Sequence, residues 1–441
     1  MPDSGRTICS RRVVLPEGMR PASIEIQDER VAEVGPYRPE AAEDFGNWVI
    51  MPGLVDTHVH INEPGRTDWE GFATATQAAA AGGVTTLIDM PLNSIPATVC
   101  TQALRSKMEA APGKCWVDIG FWGGMIPGNA GEIRPLWEAG CFGFKCFLAP
   151  SGVDEFPAVK EADLREAMPE IAACGGVLLA HAEDPARLLA GSGDPRQYLN
   201  YLDSRPSQAE DSAIELLLRL SGETGCRMHI VHLSSSCSLP QLAAARANGL
   251  QVTVETCPHY LTFAAEEISS GATEFKCAPP IREATNRDAL WQALGSGGID
   301  FVVSDHSPCP PAMKHKGSGD FFQAWGGISS LELGLAAVWT GARHRSARIE
   351  DLARWMSSAP ASLAGLGHRK GSIAPGYDAD FVIWEPEAEF TVDPRHLRQR
   401  HKLTPYACRQ LFGVVKKTFL RGDPVDLEGP APGRILRRCN G

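Results

Sequence analysis

A closed (β/α)₈ barrel of the TIM type, with a small composite β-sandwich domain built from both chain ends, is the α/β fold this sequence predicts. Three observations carry the prediction. Eight short apolar, β-rich runs recur through the middle of the chain, helical stretches separate most of them, and both ends carry alternating strand patterns instead. The 441 residues leave room for a companion domain beside a barrel of about 250 residues.

The eight runs cover 54–58, 84–89, 116–121, 143–147, 177–181, 228–232, 251–255 and 301–305. Strands that alternate with helices pair in parallel, and eight such units close into a barrel; an open doubly wound sheet is the other arrangement the pattern admits. Thr67-Asp68-Trp69-Glu70 has the spacing of a capping box ahead of the alanine-rich run to Ala81, which Gly82-Gly83 stops. Ser207 and Glu210 repeat that spacing before an apolar run through Leu220. The ends read differently. Strand patterns lie at 12–15, 23–26 and 31–34, then at 380–384 and 413–420, with turn signals at Pro375-Gly376 and Gly422-Asp423-Pro424. Two β-rich ends flanking a barrel pair most simply with each other. The division expected is therefore 1–50 with 370–441 as the composite domain, and 51–369 as the barrel.

The net charge of -11 argues against nucleic acid or an anionic membrane as partner, since both attract basic patches. No apolar run approaches the length of a membrane span. The segment Met1 to Arg12 lacks a signal-peptide core, and Arg438-Cys439-Asn440-Gly441 is no peroxisomal address. The 13 cysteines are odd in number and form no CxxC pair, so they read as reduced thiols. A cytoplasmic location is expected, with organellar import left open.

His58 and His60 stand two residues apart where the first strand ends, so both rings project to the same face. His181 closes the fifth strand, His232 the sixth and Asp305 the eighth. In a barrel these strand ends share one mouth, where the chemistry lies. Imidazole nitrogens and a carboxylate suit zinc, manganese or cobalt. Lys145 lies in the apolar fourth strand, Gly143-Phe144-Lys145-Cys146-Phe147. A charged lysine there is costly unless paired. Two readings stay open on the residues alone: a buried ion pair with a carboxylate, or a neutral amine that takes up CO₂ as a carbamate between two metals. His229, three residues before His232, is expected to point to the opposite face of the strand and to be structural; His306 is expected to be structural, and His259 is placed in a turn as a residue that either supports a ligand or serves the fold. His315 is expected on an exposed loop, and Asp89 as a hydrogen-bonding residue without a metal. The segment from Ser307 to Trp325 is long for a barrel connection and is positioned to cover the mouth.

Taken in order, His58-Val59-His60, Lys145, His181, His232 and Asp305 resemble the metal ligands of the cyclic amidohydrolases, the group that includes dihydroorotase, dihydropyrimidinase (hydantoinase) and allantoinase. The resemblance covers nearly the whole chain, including Gly371-Ser372-Ile373-Ala374-Pro375-Gly376-Tyr377-Asp378-Ala379-Asp380. It implies two divalent ions, zinc first with manganese or cobalt as alternatives. One would be held by His58, His60, Lys145 and Asp305, the other by His181, His232 and a Lys145 carboxylated on its side-chain nitrogen. Dihydroorotases carry an arginine two positions after the second histidine, to grip a substrate carboxylate; here that position is Asn62. Met90-Pro91-Leu92-Asn93-Ser94, Glu255-Thr256-Cys257-Pro258-His259-Tyr260 and Lys276-Cys277-Ala278-Pro279-Pro280-Ile281-Arg282 resemble the allantoinase branch.

That branch implies hydrolysis of the hydantoin-ring amide of allantoin to allantoate by a metal-bridged hydroxide, with Asp305 as general base and then acid. Asn93 and the backbone near Cys277 and Ser307 are the expected substrate contacts. A homo-oligomer, tetramer or dimer, is implied as well. The alternatives are a hydantoinase or dihydropyrimidinase acting on another cyclic amide, and a non-catalytic scaffold that keeps the fold.

Overall fold

The structure is a computed structural model and describes residues 5–438. The first four residues and Cys439-Asn440-Gly441 lie outside the described residues, so the reading of the extreme ends is not addressed by it. Eight parallel strands form the barrel: Leu54–Val59, Val84–Asp89, Asp118–Phe121, Phe144–Phe147, Val177–His181, Arg227–Ile230, Val252–Thr256 and Phe301–Val302. The third strand resumes after Trp122 as Gly123–Gly124 and there pairs with the fourth. Between the eighth and first strands the ring closes. Val59 bridges His306 in parallel, and the His60 amide donates to the His306 carbonyl at 2.9 Å. The Ser304 amide donates to Asp56 at 3.1 Å across the same seam. This closure excludes the open sheet.

Each strand is followed by a helix: Phe72–Ala81, Thr101–Ala110, Ile133–Glu138, Glu161–Ala173, Ser207–Thr224, Leu239–Ala247, Ala284–Ser296 and Gly334–Arg343. The strands are covered on both faces, so they read as unbroken apolar runs; every residue of Val177–His181 is buried. The helices bury one stripe each. In Ser207–Thr224 it runs through Ala209, Ala213, Leu217 and Leu220, the spacing of one helical face.

The two capping boxes do not form. The first helix starts at Phe72, its cap is Gly71, and Glu63 accepts the Phe72 amide at 3.0 Å. Glu70 is instead buried beside His306, 3.2 Å away. Ser207 lies inside its helix after Pro206, and Glu210 is drawn into the interior by Arg282 at 2.7 Å. In both places a distant ionic or ring partner takes the carboxylate that spacing assigned to the local backbone.

The ends join in one hydrogen-bonded sheet of eight strands. Val49–Pro52 stands at its centre, antiparallel to Phe381–Thr391 and parallel to Arg6–Leu15. Gly18–Gln27 and Arg30–Gly35 extend it on one side and Gln410–Leu420 on the other. The sheet rolls over a core containing Ile8, Ile24, Ile50, Phe381 and Phe419. Its far strand thus returns to the first, with Phe419 edge-on to Phe45 at 6.0 Å and Arg6 donating to the Gly422 carbonyl at 3.1 Å. The two layers of the expected sandwich are parts of this single sheet.

A buried ionic knot ties sheet to barrel. Lys370 reaches Asp118 of the third strand and Asp380 at 2.7 Å each, and Asp378 at 3.2 Å. The tail returns to the barrel as well: Ile119 donates its amide to Arg434 at 2.9 Å and Leu436 donates to Ile119 at 2.7 Å. The cysteines found among the described residues are free. No helix among the described residues is long and apolar enough to cross a membrane.

Candidate metal centre

The strand ends deliver the predicted side chains to one buried cluster. His58 and His60 leave the first strand on the same face, and their Nε2 atoms lie 3.2 and 3.3 Å from one oxygen of Asp305. Nitrogen ligands about 2.0–2.1 Å from one zinc at tetrahedral angles stand roughly 3.3–3.4 Å apart. The three groups therefore have the spacing of ligands that share an ion. His181 and His232 form a second pair, with Nδ1 and Nε2 3.0 Å apart. The His58 and His232 rings are 5.4 Å apart, so the pairs adjoin. His232 and Asp305 take positive φ, 40° and 44°. Non-glycine residues pay strain there, a common mark of sites where function sets the conformation.

Lys145 lies among these rings. It is fully buried, and its ammonium has no hydrogen-bond partner among the described residues. Its contact is the face of Phe147, at 4.7 Å, and its charge acts on His60, His181 and His232. The ion pair with a carboxylate, one of the two readings of this lysine, is not found among the described residues. Burial lowers its pKa from 10.5 to about 8, so the charged form is disfavoured relative to an exposed lysine. The amine is thus buried among the predicted ligands with no hydrogen-bond partner among the described residues.

Buried carboxylates orient the rings. Glu255 accepts from His58 Nδ1 at 2.5 Å, which leaves Nε2 for a metal. Its other oxygen meets His229 Nε2 at 2.9 Å, and it also accepts the His232 amide at 3.2 Å. Burial alone would raise the Glu255 pKa, but His58 and His229 outweigh it and hold the group at about 2. Glu183 accepts from His181 Nε2 at 2.7 Å, which frees Nδ1, and Arg205 chelates Glu183 from behind. Such partners fix the tautomer of a ligating histidine. Burial keeps His60 neutral, with its pKa lowered to about 4. Burial opposes ionisation of Asp305, yet His58 and His60 beside it pull its pKa well below the usual carboxylate range.

The sequence did not single out Glu183, Arg205 or Glu255. Glu183 stands two residues after His181 and was findable as its same-face carboxylate. Glu255 is contributed from the next strand but one. His229 is structural in the sense that it lies outside the ligand set, but it does not point away from the site. The strand ends at Ile230 and the chain kinks at His232, so alternation does not carry through. His259 sits in the short helix Pro258–Thr262, buried, with both ring nitrogens unpartnered among the described residues; one of them lies within 4.8 Å of an Asp305 oxygen and the Cys257 sulfur. His306 shapes its loop as expected, accepting the Ser330 amide at 3.2 Å. Asp89 binds the Ile61 amide at 2.6 Å and Lys107 at 2.5 Å. His315 ends a short turn of helix, Pro311–Lys314, and is only partly exposed.

Above the ligands, the mouth is lined by Asn93, Cys277, Ala278, Ser307, Trp325 and Gly327 among others, which places all three predicted substrate contacts at its wall. Asn93 has φ of 70° and a buried side-chain oxygen with no partner. Gly327 is required: a Cβ there would lie 2.2 Å from the Ser307 carbonyl oxygen. Asn62 is buried with both side-chain polar atoms unpartnered among the described residues.

Comparison with known proteins agrees with this geometry. Residues 49–425 match the amidohydrolase family. An allantoinase of Streptomyces avermitilis is 52% identical over 99% of this chain and 100% of its own length. One from Arabidopsis thaliana is 45% identical over 97% of this chain and 89% of its own. Among solved structures, the L-hydantoinase (dihydropyrimidinase) of Arthrobacter aurescens superposes with a TM-score of 0.91 at 31% identity, covering 98% of this chain and 99% of that one. The chain belongs to the amidohydrolase family and, within it, to the allantoinases, and its histidine and aspartate cluster is the candidate metal site.

Proposed function

We propose that the chain hydrolyses the hydantoin-ring amide of allantoin to give allantoate. The observation that carries the reading is the unpartnered Lys145 amine between two ligand pairs at ion-sharing distances. In this reading His58, His60 and Asp305 would hold one divalent ion, His181 and His232 would hold a second, and carboxylated Lys145 would be a ligand to both. Nitrogen and oxygen donors at tetrahedral spacing favour zinc, with manganese or cobalt as substitutes. When bound, such ions polarise an amide carbonyl and bring a water's pKa down to about 7.

The chain's own groups do the rest. Asp305, held ionised by its histidines, accepts the proton that the attacking water releases and delivers it to the ring nitrogen as that nitrogen departs. Without that proton the nitrogen is a poor leaving group. Glu255 and Glu183 keep the rings aimed, so no reorganisation is needed as charge moves. The Asn93 side chain and the main chain near Cys277 and Ser307 supply neutral hydrogen-bonding partners at the wall. A neutral ring with a ureido group fits them. A ring carboxylate does not, because Asn62 stands where a gripping arginine would be needed.

The same proposal includes the two-domain division, with the first boundary moved from 51 to after Pro52 because Met51 and Pro52 pair with Val382 and Phe381 in the sheet, together with a homo-oligomer and a reducing, cytoplasmic compartment. Leu189 and Leu199, 61% and 52% exposed, offer apolar surface for a second copy. The buried free thiols of Cys146 and Cys226 suit a reducing compartment. The test of activity is a substrate panel on the wild type beside Lys145→Ala. Allantoin is expected to be the best substrate and the variant inactive. Faster turnover of dihydrouracil would assign the chain to the hydantoinase alternative, and a fully active Lys145→Ala would end the bridged-metal reading.

A further inference from the structure

The long segment after the eighth strand is not loose. Two lysines anchor it, Lys276 from the seventh-strand loop and Lys314 from the segment itself, and both are buried. Neither has a carboxylate within ion-pair distance among the described residues. Lys276 Nζ donates to the carbonyls of Phe322 at 3.0 Å and Ala324 at 2.6 Å. Lys314 Nζ donates to those of Lys276 at 3.1 Å, Trp325 at 2.9 Å and Gly327. Four of the five carbonyls belong to one short stretch of backbone that turns them inward. An ammonium offers three donors and no acceptor, so it can satisfy a cluster of carbonyls that a neutral side chain of that length would leave bare. Burying it without a counter-ion is costly, and a fold accepts that cost where the gathered backbone matters.

That backbone carries Trp325. Its ring lines the mouth and meets Trp69 edge-on, with centroids 4.9 Å apart. It also covers Gly152, where an added Cβ would come within 3.1 Å of the indole. Arg66 packs over Trp69 at 5.2 Å and donates to the Asn93 carbonyl at 2.9 Å. Loops following the first, fourth and eighth strands thus meet at one indole above the ligands, and the loop after the second strand joins them through Arg66.

We propose that Trp325 is a specificity-determining residue, a fixed roof that admits ring substrates with a compact polar substituent and rejects bulky aromatic ones. Lys314 and Lys276 are the positioning residues that hold it. The inference rests on the cyclic-amide hydrolase reading and adds the origin of its selectivity.

The test is steady-state kinetics on metal-loaded enzyme with allantoin and 5-benzylhydantoin, for wild type, Trp325→Ala, Lys314→Met and the double variant. Each single change is expected to raise the kcat/KM ratio of benzylhydantoin to allantoin by about ten-fold or more, the scale of a lost pocket wall. The double variant should go no further, because both changes remove the same roof. Lys276→Met should repeat the Lys314→Met result from the other ammonium, and chymotryptic cleavage within 307–327 should quicken in both. A change that merely weakened the fold would lower both substrates together and leave the ratio alone. An unmoved ratio in Trp325→Ala overturns the roof. An unmoved ratio in both lysine variants, or single effects that multiply in the double variant, overturns the anchoring. If the wild type does not hydrolyse allantoin, the same ratio is taken against unsubstituted hydantoin. Failure of the allantoin reading is thereby kept apart from failure of this one.

Discussion

Replacing Glu255 by glutamine removes one charge from beneath the metal centre and keeps the shape. The native oxygens serve three donors: His58 Nδ1 at 2.5 Å, the His232 amide at 3.2 Å and His229 Nε2 at 2.9 Å. The first two share one oxygen, and the glutamine oxygen can keep them. Its NH₂ then faces His229, which must carry its proton on Nδ1 instead. Thr253 Oγ1, 2.8 Å from that nitrogen, accepts it. Every donor keeps a partner, so the fold should survive and the loss should be electrostatic. A bond to a charged group contributes about 1.5–3 kcal/mol and a neutral one about 0.5–1.5. The difference, about 1–1.5 kcal/mol at His58, sets the lower end of the ten- to hundred-fold weakening of metal affinity that such partners control. Chelator competition with metal analysis reads this directly. The metal dissociation constant is expected to rise by about ten-fold or more, with the melting temperature of the metal-stripped protein little changed. Unchanged metal affinity, or a metal-stripped variant that no longer folds, would refute the reasoning.

Two further predictions concern stability. Burial, opposed only in part by the Arg398 amide at 2.6 Å, pushes the Glu332 pKa from 4.5 up to about 7. The folded chain holds that proton more tightly than the unfolded chain, so this contribution is full below about pH 4.5 and is lost as pH rises through about 7. Glu332→Gln should therefore stabilise by on the order of 2–3 kcal/mol at pH 8 and by little at pH 4.5, read from urea unfolding; an equal gain at both pH values would contradict the assignment. Lys370→Met strands Asp118, Asp378 and Asp380 without their shared cation. It should cost about 3–5 kcal/mol in the same assay, and a loss below about 1 kcal/mol would show that Arg421, paired with Asp118, and Arg369, paired with Asp378, neutralise the cluster without it.

The legible features were local ones. A buried parallel strand is an unbroken apolar run, and a ligand at its end is a polar residue where the run stops, so Val177 to His181 and Phe301 to Asp305 could be read without coordinates. His58 and His60 were readable because two-residue alternation puts both on one face. What escaped depends on pairs far apart in the chain. Glu255 meets His58 across 197 residues, and Glu70 meets His306 across 236. The Glu70 capping prediction failed because the helix begins at Phe72, whose amide Glu63 accepts, while Glu70 lies before it and turns to the buried His306. His229 was misdirected because alternation ends where His232 turns to positive φ. The anchoring of 307–327 was invisible for a related reason: lysines in a loop read as solvated, and only the fold shows Lys276 and Lys314 turned inward onto carbonyls.

The claim on which the rest depends is that Lys145 carries a carbamate shared by two ions. Reconstituting metal-stripped protein with zinc and ¹³C-bicarbonate, then recording the ¹³C spectrum beside the metal content, tests it most directly. The expected result is a carbamate carbon together with two zinc ions per chain, both lost in Lys145→Ala. Wild-type protein that binds its full metal complement and shows no carbamate carbon would contradict it.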